Sequence, residues 1–139
     1  MNSDLYLEKN ISQQPAIDLL TAMGYTYISP ADCDKQRGSR YHVLLRDILR
    51  GQLRRLNRYV YAGAENEFSA ANIERAMEDL NEPLTDGLVR TSEKIYDALL
   101  LGKSYPETVG DGKMLSFNLR YIDWDNPQNN VFHVTEEFA

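Results

Sequence analysis

The sequence predicts a helix-rich α+β chain with one antiparallel β-hairpin. Three observations predict it. Four stretches, near 13–23, 41–57, 69–80 and 92–101, repeat apolar residues at helical spacing. The period then drops to two over 115–121, where Leu115, Phe117, Leu119 and Tyr121 alternate with polar residues. After a turn-rich stretch at 125–130, a second β-prone run, 131–138, provides a partner strand.

In the first helix, Ser12 is the expected N-cap, Pro15 fits the first turn, and Ile17, Leu19, Leu20 and Met23 form the apolar side. Gly24 stands where such a helix stops. Residues 25–28 are β-prone and close at Ser29-Pro30. The second helix, 41–57, carries Leu45, Ile48, Leu49, Leu53 and Leu56 on one side. Gly51 interrupts it at a cost of ~1 kcal/mol relative to Ala, which suggests a close contact there. The third helix starts from Ser69 as N-cap and buries Ile73, Ala76, Met77 and Leu80. The fourth starts near Ser92, uses Ile95, Tyr96, Leu99 and Leu100, and stops at Gly102. A chain ending on a strand pattern, beside a hairpin that is only marginally stable alone, reads as cut inside a larger α/β domain.

The 139 residues suit one domain or part of one. No run approaches the ~20 apolar residues a bilayer crossing needs, and residues 1–10 lack a secretory signal pattern. Cys33 is the only cysteine, which excludes an internal disulfide and a cysteine-based zinc site. A spectator thiol in the reducing cytoplasm is the expectation. The net charge is −6, unevenly spread. Lys35, Arg37, Arg40, Arg46, Arg50, Arg54, Arg55 and Arg58 face only Asp47 over residues 35–58. Such asymmetry hints at a polyanionic partner.

Most catalytic motifs fail on inspection. Leu101-Gly102-Lys103-Ser104 resembles the end of a phosphate loop, but Asp97 stands where that loop needs glycine, so a helix cap explains Gly102 better. Asp123, Asp125, Glu136 and Glu137 are carboxylates of the kind that hold Mg²⁺ in nucleases. Phe138, however, stands two residues past Glu136, where a restriction-nuclease pattern needs Lys, and Asp123 and Asp125 also fit a turn. His42 and His133 have no neighbour at metal-ligand spacing, and there is no Gly-x-Ser-x-Gly elbow. No catalytic residue and no metal ligand are expected within the chain.

Arg46, Arg50, Arg54 and Arg58 recur every four residues, a stripe on one helix. Like charges at this spacing repel by a few tenths of a kcal/mol per pair, so they need a reason. Three readings stand open. The stripe is solvated or paired with acidic residues of the same chain, it contacts duplex DNA phosphates, or it docks onto an acidic partner subunit.

Several motifs carry a resemblance over residues 13–138. They are Gln14-Pro15-Ala16-Ile17 with Gly24-Tyr25-Thr26-Tyr27, Asn72-Ile73, and Asp86-Gly87-Leu88-Val89-Arg90 leading to Ile95-Tyr96-Asp97. The most specific are Tyr121-Ile122-Asp123-Trp124 and the closing Asn130-Val131-Phe132-His133-Val134-Thr135-Glu136-Glu137-Phe138. In order and spacing these resemble the N-terminus of the R subunits of type I restriction enzymes.

The resemblance implies that residues 1–139 are the incomplete front part of a restriction-endonuclease-like α/β domain of the PD-(D/E)xK kind. It implies a full-length, Mg²⁺- and ATP-dependent endodeoxyribonuclease acting on double-stranded DNA with methylation and specificity subunits. The Arg-Pro-Asp and Glu-x-Lys motifs of that family match no position here, so the fragment is expected to be inactive, with no cofactor of its own. Where some such nucleases carry an acidic residue on the first helix, Gln13 and Gln14 stand here, with Asp18 the only acid in the region. The alternative is a non-catalytic module that binds DNA backbone or docks a subunit.

Overall fold

The structure is a computed structural model and describes residues 12–38, 44–81, 85 and 87–136. In chain order the elements are α1 (Gln14–Ala22), β1 (Thr26–Tyr27), α2 (Pro30–Arg37), α3 (Arg46–Leu56), β2 (Tyr59–Tyr61) and β3 (Ala64–Asn66). They continue with α4 (Ala70–Leu80), α5 (Leu88–Leu101), β4 (Lys103–Thr108), β5 (Met114–Leu119) and β6 (His133–Val134), with a 3-10 turn at Pro127–Asn129. The class is mixed helix and sheet with antiparallel hairpins, as expected. The chain divides into two compact units, Leu44–Asn130 and Met1–Val43 with Val131–Ala139.

Within Leu44–Asn130, the core gathers Leu53 from α3, Ile73, Ala76 and Met77 from α4, Ala98 from α5, Tyr105 from β4 and Leu119 from β5. Phe68 and Tyr121 complete it. Leu53 lies on the expected apolar side of α3, but the helix starts at Arg46. Residues 44 and 45 are not helical, and 41–43, where the longer helix was expected to begin, lie outside the described residues. Apolar periodicity runs past the helix because Leu45 has no capping side chain to mark the boundary. Gly51 is exposed with open space where a Cβ would sit, so the expected close contact is not there.

The end of α3 is pinned by Asn57, which is buried. Its Nδ2 donates to the carbonyls of Leu53 (2.9 Å) and Arg120 (2.8 Å), and its Oδ1 accepts the Arg120 N–H (2.8 Å). The first residues of α4 are held twice. Ser69 caps it as expected, accepting from the Asn72 N–H. The buried Glu107 carboxylate accepts from the Ser69 N–H (2.7 Å) and from Asn72 Nδ2 (3.1 Å), an anion placed where the helix start favours one.

α5 begins at Leu88, four residues before the expected Ser92. Its buried positions are Thr91 and Ala98, while Tyr96 and Leu100, two of its four apolar-stripe residues, are exposed. Gly102 ends it with φ +76°, and an added Cβ would sit 2.4 Å from the Leu119 carbonyl, so only glycine fits. The chain there runs from helix into strand, the reverse of a phosphate loop.

The strand near 115–121 exists as β5, but its partner is β4, in antiparallel register from Lys103↔Leu119 to Thr108↔Met114. The expected pairing with 131–138 is therefore corrected. β4 is hidden in the sequence because Pro106 and the buried Glu107 break the alternation that marks a strand. A second unanticipated hairpin, β2–β3, turns at Ala62 and Gly63, both at positive φ, which suits the twist of a two-residue connection. Its Tyr59 stacks on Phe117 with ring centroids 4.4 Å apart.

In the other unit, α1 ends at Ala22 and Gly24 follows at φ +105°. Gln13, not Ser12, occupies the N-cap position, and it makes no side-chain cap. α2 was not anticipated. Ser29 caps it by accepting from the Asp32 N–H, and Pro30 opens it, so Ser29-Pro30 starts a helix rather than merely closing a strand. β1 and β6 pair in parallel, Thr26↔His133 and Tyr27↔Val134. Among the described residues of the expected 131–138 strand, His133 and Val134 are paired in this way.

Candidate functional site

Three of the four arginines expected to touch DNA, Arg46, Arg50 and Arg54, lie on α3, and Arg58 follows just beyond its end. Arg46 Nη1 meets Glu78 Oε1 at 2.9 Å. Arg50 Nε meets Glu74 Oε1 at 2.5 Å, and its Nη1 meets Asp47 at 3.0 Å. The two inter-helix pairs run in opposite sequence directions, so α3 and α4 lie antiparallel with a two-rung ionic ladder between them. Arg58 reaches Glu67 at 3.3 Å. Arg54 is exposed and forms no ion pair among the described residues, though its charge helps hold the Glu74 carboxyl down.

The ladder shifts its own titration. The hydrogen bond from Arg50 holds the Glu74 carboxyl below the usual carboxylate range, and the same bond raises the Arg50 guanidinium. Both partners remain partly exposed, so each pair contributes only about 0.2–1 kcal/mol. Glu74 and Glu78 repeat at the same four-residue spacing as the arginines, a signal the sequence holds but that the arginine stripe alone does not reveal.

The remaining basic residues are distributed differently. Arg37 is buried in α2 and paired with Asp34. Arg40 lies outside the described residues. Arg55 is exposed and donates to the Asn129 carbonyl, which also accepts from Gln52 Nε2 at 2.9 Å.

Of the acidic cluster, Asp123 is buried and organises a loop. Its Oδ1 accepts from the Asn126 N–H (3.0 Å) and Arg120 Nη1 (3.2 Å), and its Oδ2 accepts from Asn129 Nδ2 (3.0 Å). Asn130 closes the knot from the other side, accepting from the Asp123 N–H and donating to its carbonyl. The Asn129 and Asn126 hydrogen bonds pull the Asp123 carboxyl below its usual range. This is the turn-capping geometry the sequence allowed. Asp125 is largely exposed, and Glu136 accepts from the Tyr27 hydroxyl instead. Glu137 and His42 lie outside the described residues, and His133 is held in β6. Among the described residues, no three His, Cys, Asp or Glu side chains are grouped to hold a metal ion. Cys33 is buried in α2. No helix among the described residues is long and apolar enough to cross a membrane.

No curated protein and no solved structure significantly matches the chain. The family described as Type I restriction enzyme R protein N terminus (HSDR_N) matches residues 5–139, a span that takes in the arginine helix, the Asp123 knot and the β1–β6 pair, and the chain belongs to that family.

Proposed function

We propose that this chain is the front of the DNA-cleaving R subunit of a type I restriction enzyme, serving as scaffold and DNA approach rather than as the cutting centre. The family match over residues 5–139 carries the reading. On this reading a restriction-endonuclease-like sheet is completed by the rest of the subunit. Its carboxylates hold Mg²⁺, which activates water and neutralises the phosphate. ATP drives the full-length subunit, methylation and specificity subunits complete the cytoplasmic assembly, and the substrate is double-stranded DNA.

Arg46, Arg50, Arg54 and Arg58 then lie on the side from which DNA approaches, contacting phosphates without reading sequence. Arg54 can make such a contact directly, whereas Arg46, Arg50 and Arg58 would exchange a carboxylate for a phosphate. That exchange favours a second reading, in which the ionic pairs keep α3 in place and the helix docks a neighbouring subunit.

Cells carrying the complete reading frame with its methylation and specificity partners should plate unmodified phage poorly and modified phage normally. Equal plating of both, with all subunits present and methylation intact, overturns the R-subunit reading. In the same cells, Arg54→Glu should weaken restriction while leaving subunit pull-down unchanged. Loss of pull-down instead supports docking.

A further inference from the structure

The pocket at the end of α3 belongs to neither the ionic ladder nor the core. It encloses about 440 Å³ and is lined by Arg55, Leu56, Arg120, Asp123, Asn126 and Asn129. We propose that this pocket is a phosphate-binding site and that it seats a backbone phosphate of duplex DNA.

The charge balance points that way. Two guanidinium groups line the pocket against one carboxylate, Asp123, and like charges sharing a pocket repel unless an anion joins them. Asp123 cannot serve both cations well. Its Oδ1 already accepts from Arg120 and the Asn126 N–H, and its Oδ2 accepts from Asn129. Asp125 meets Arg120 at 3.7 Å, but it is 88% exposed at the rim, where solvent weakens the attraction. Arg55 has no carboxylate partner among the described residues. Its bond to the Asn129 carbonyl orients the guanidinium without neutralising it.

The site is also built in advance. The Asn57 side chain fixes the Arg120 backbone to the end of α3, and the Asp123–Asn130 knot fixes the loop carrying Asn126 and Asn129. Two arginine forks, one from the last turn of α3 and one just past β5, facing a loop fixed in place, suit the planar, bidentate recognition of phosphate oxygens. A pocket of this volume has room for a phosphate group. The phosphate chemistry follows from the pocket, while the choice of DNA as its source rests on the R-subunit reading.

The test is fluorescence polarisation of a short labelled duplex titrated with the full chain over a salt series. Removing one cation that neutralises a duplex phosphate should flatten the log–log salt slope by about 0.9. Arg55→Glu and Arg120→Gln should each do so, and Lys113→Glu, an exposed change of the same sign in the β4–β5 turn, should not. Because Arg120 also holds Asp123, Arg55→Glu decides the matter if Arg120→Gln fails to fold. An unchanged slope in folded Arg55→Glu overturns the site. Inorganic phosphate should compete with the duplex at matched ionic strength; phosphate that binds through Arg55 and leaves the duplex bound overturns DNA as the occupant. If the phage assay shows restriction while Arg55→Glu changes nothing, the pocket is wrong and the R-subunit reading survives.

Discussion

The two units are held together by different means. Leu44–Asn130 closes around Leu53, Ile73, Met77, Tyr105 and Leu119, each at most 2% exposed and drawn from four elements. Polar pins then lock its edges, with Asn57 at the end of α3 and Glu107 at the start of α4. The other unit buries Ile17, Cys33 and Arg37 and ties distant parts of the chain through a parallel pair of two residues each. The difference teaches that a stiff, pinned layer can carry a preformed polar pocket at its edge. A unit resting on two short strands depends far more on the segment 131–136.

Core truncation should separate the units most. Leu53→Ala should cost about 2–5 kcal/mol, because the side chain is fully enclosed and its loss leaves a cavity in the core. Ile17→Ala should fall at the low end of that range, because most of α1 around it is exposed. Urea unfolding monitored by circular dichroism checks both, and equal losses would break the comparison. A smaller effect tests the pins. Asn57→Ala leaves the Arg120 N–H and two carbonyls without their partner and should cost about 1–3 kcal/mol. It should also weaken the salt dependence of duplex binding, since Arg120 loses its anchor; a loss of stability with binding untouched would separate the pin from the pocket. The smallest change should be a gain. Gly51→Ala, with open space around the new methyl, should stabilise α3 by about 0.5–1 kcal/mol, read as a raised melting temperature. A loss there would mean that α3 meets something in solution where the structure leaves space.

Legibility followed how local each cause was. The start of α4 was readable because Ser69 caps it directly, and the stop of α5 because Gly102 announces itself. α2 was missed although Ser29-Pro30 is a helix-start signature, because the β-prone residues just before it read as a strand that closes there. β4 was missed because Pro106 and Glu107 mask its alternation, and Glu107 has its reason 38 residues away at Ser69. For the site, the arginine spacing was legible. The partners Glu74 and Glu78 required knowing that α3 and α4 lie side by side.

By itself, then, the sequence determined the helical periods, the uneven charge, the cap at Ser69, the break at Gly102 and the motifs that mark the family. The periods, the cap and the break are set by residues within a few positions of one another, and the charge and the motifs by residue order alone. Only the tertiary structure decided which strand pairs with which, which arginines are already matched by carboxylates, and that Arg55 and Arg120 line one pocket. Those outcomes depend on interactions across tens of residues. The Coulomb and hydrogen-bond energies that fix them fall off over a few ångströms of space, whatever the separation along the chain.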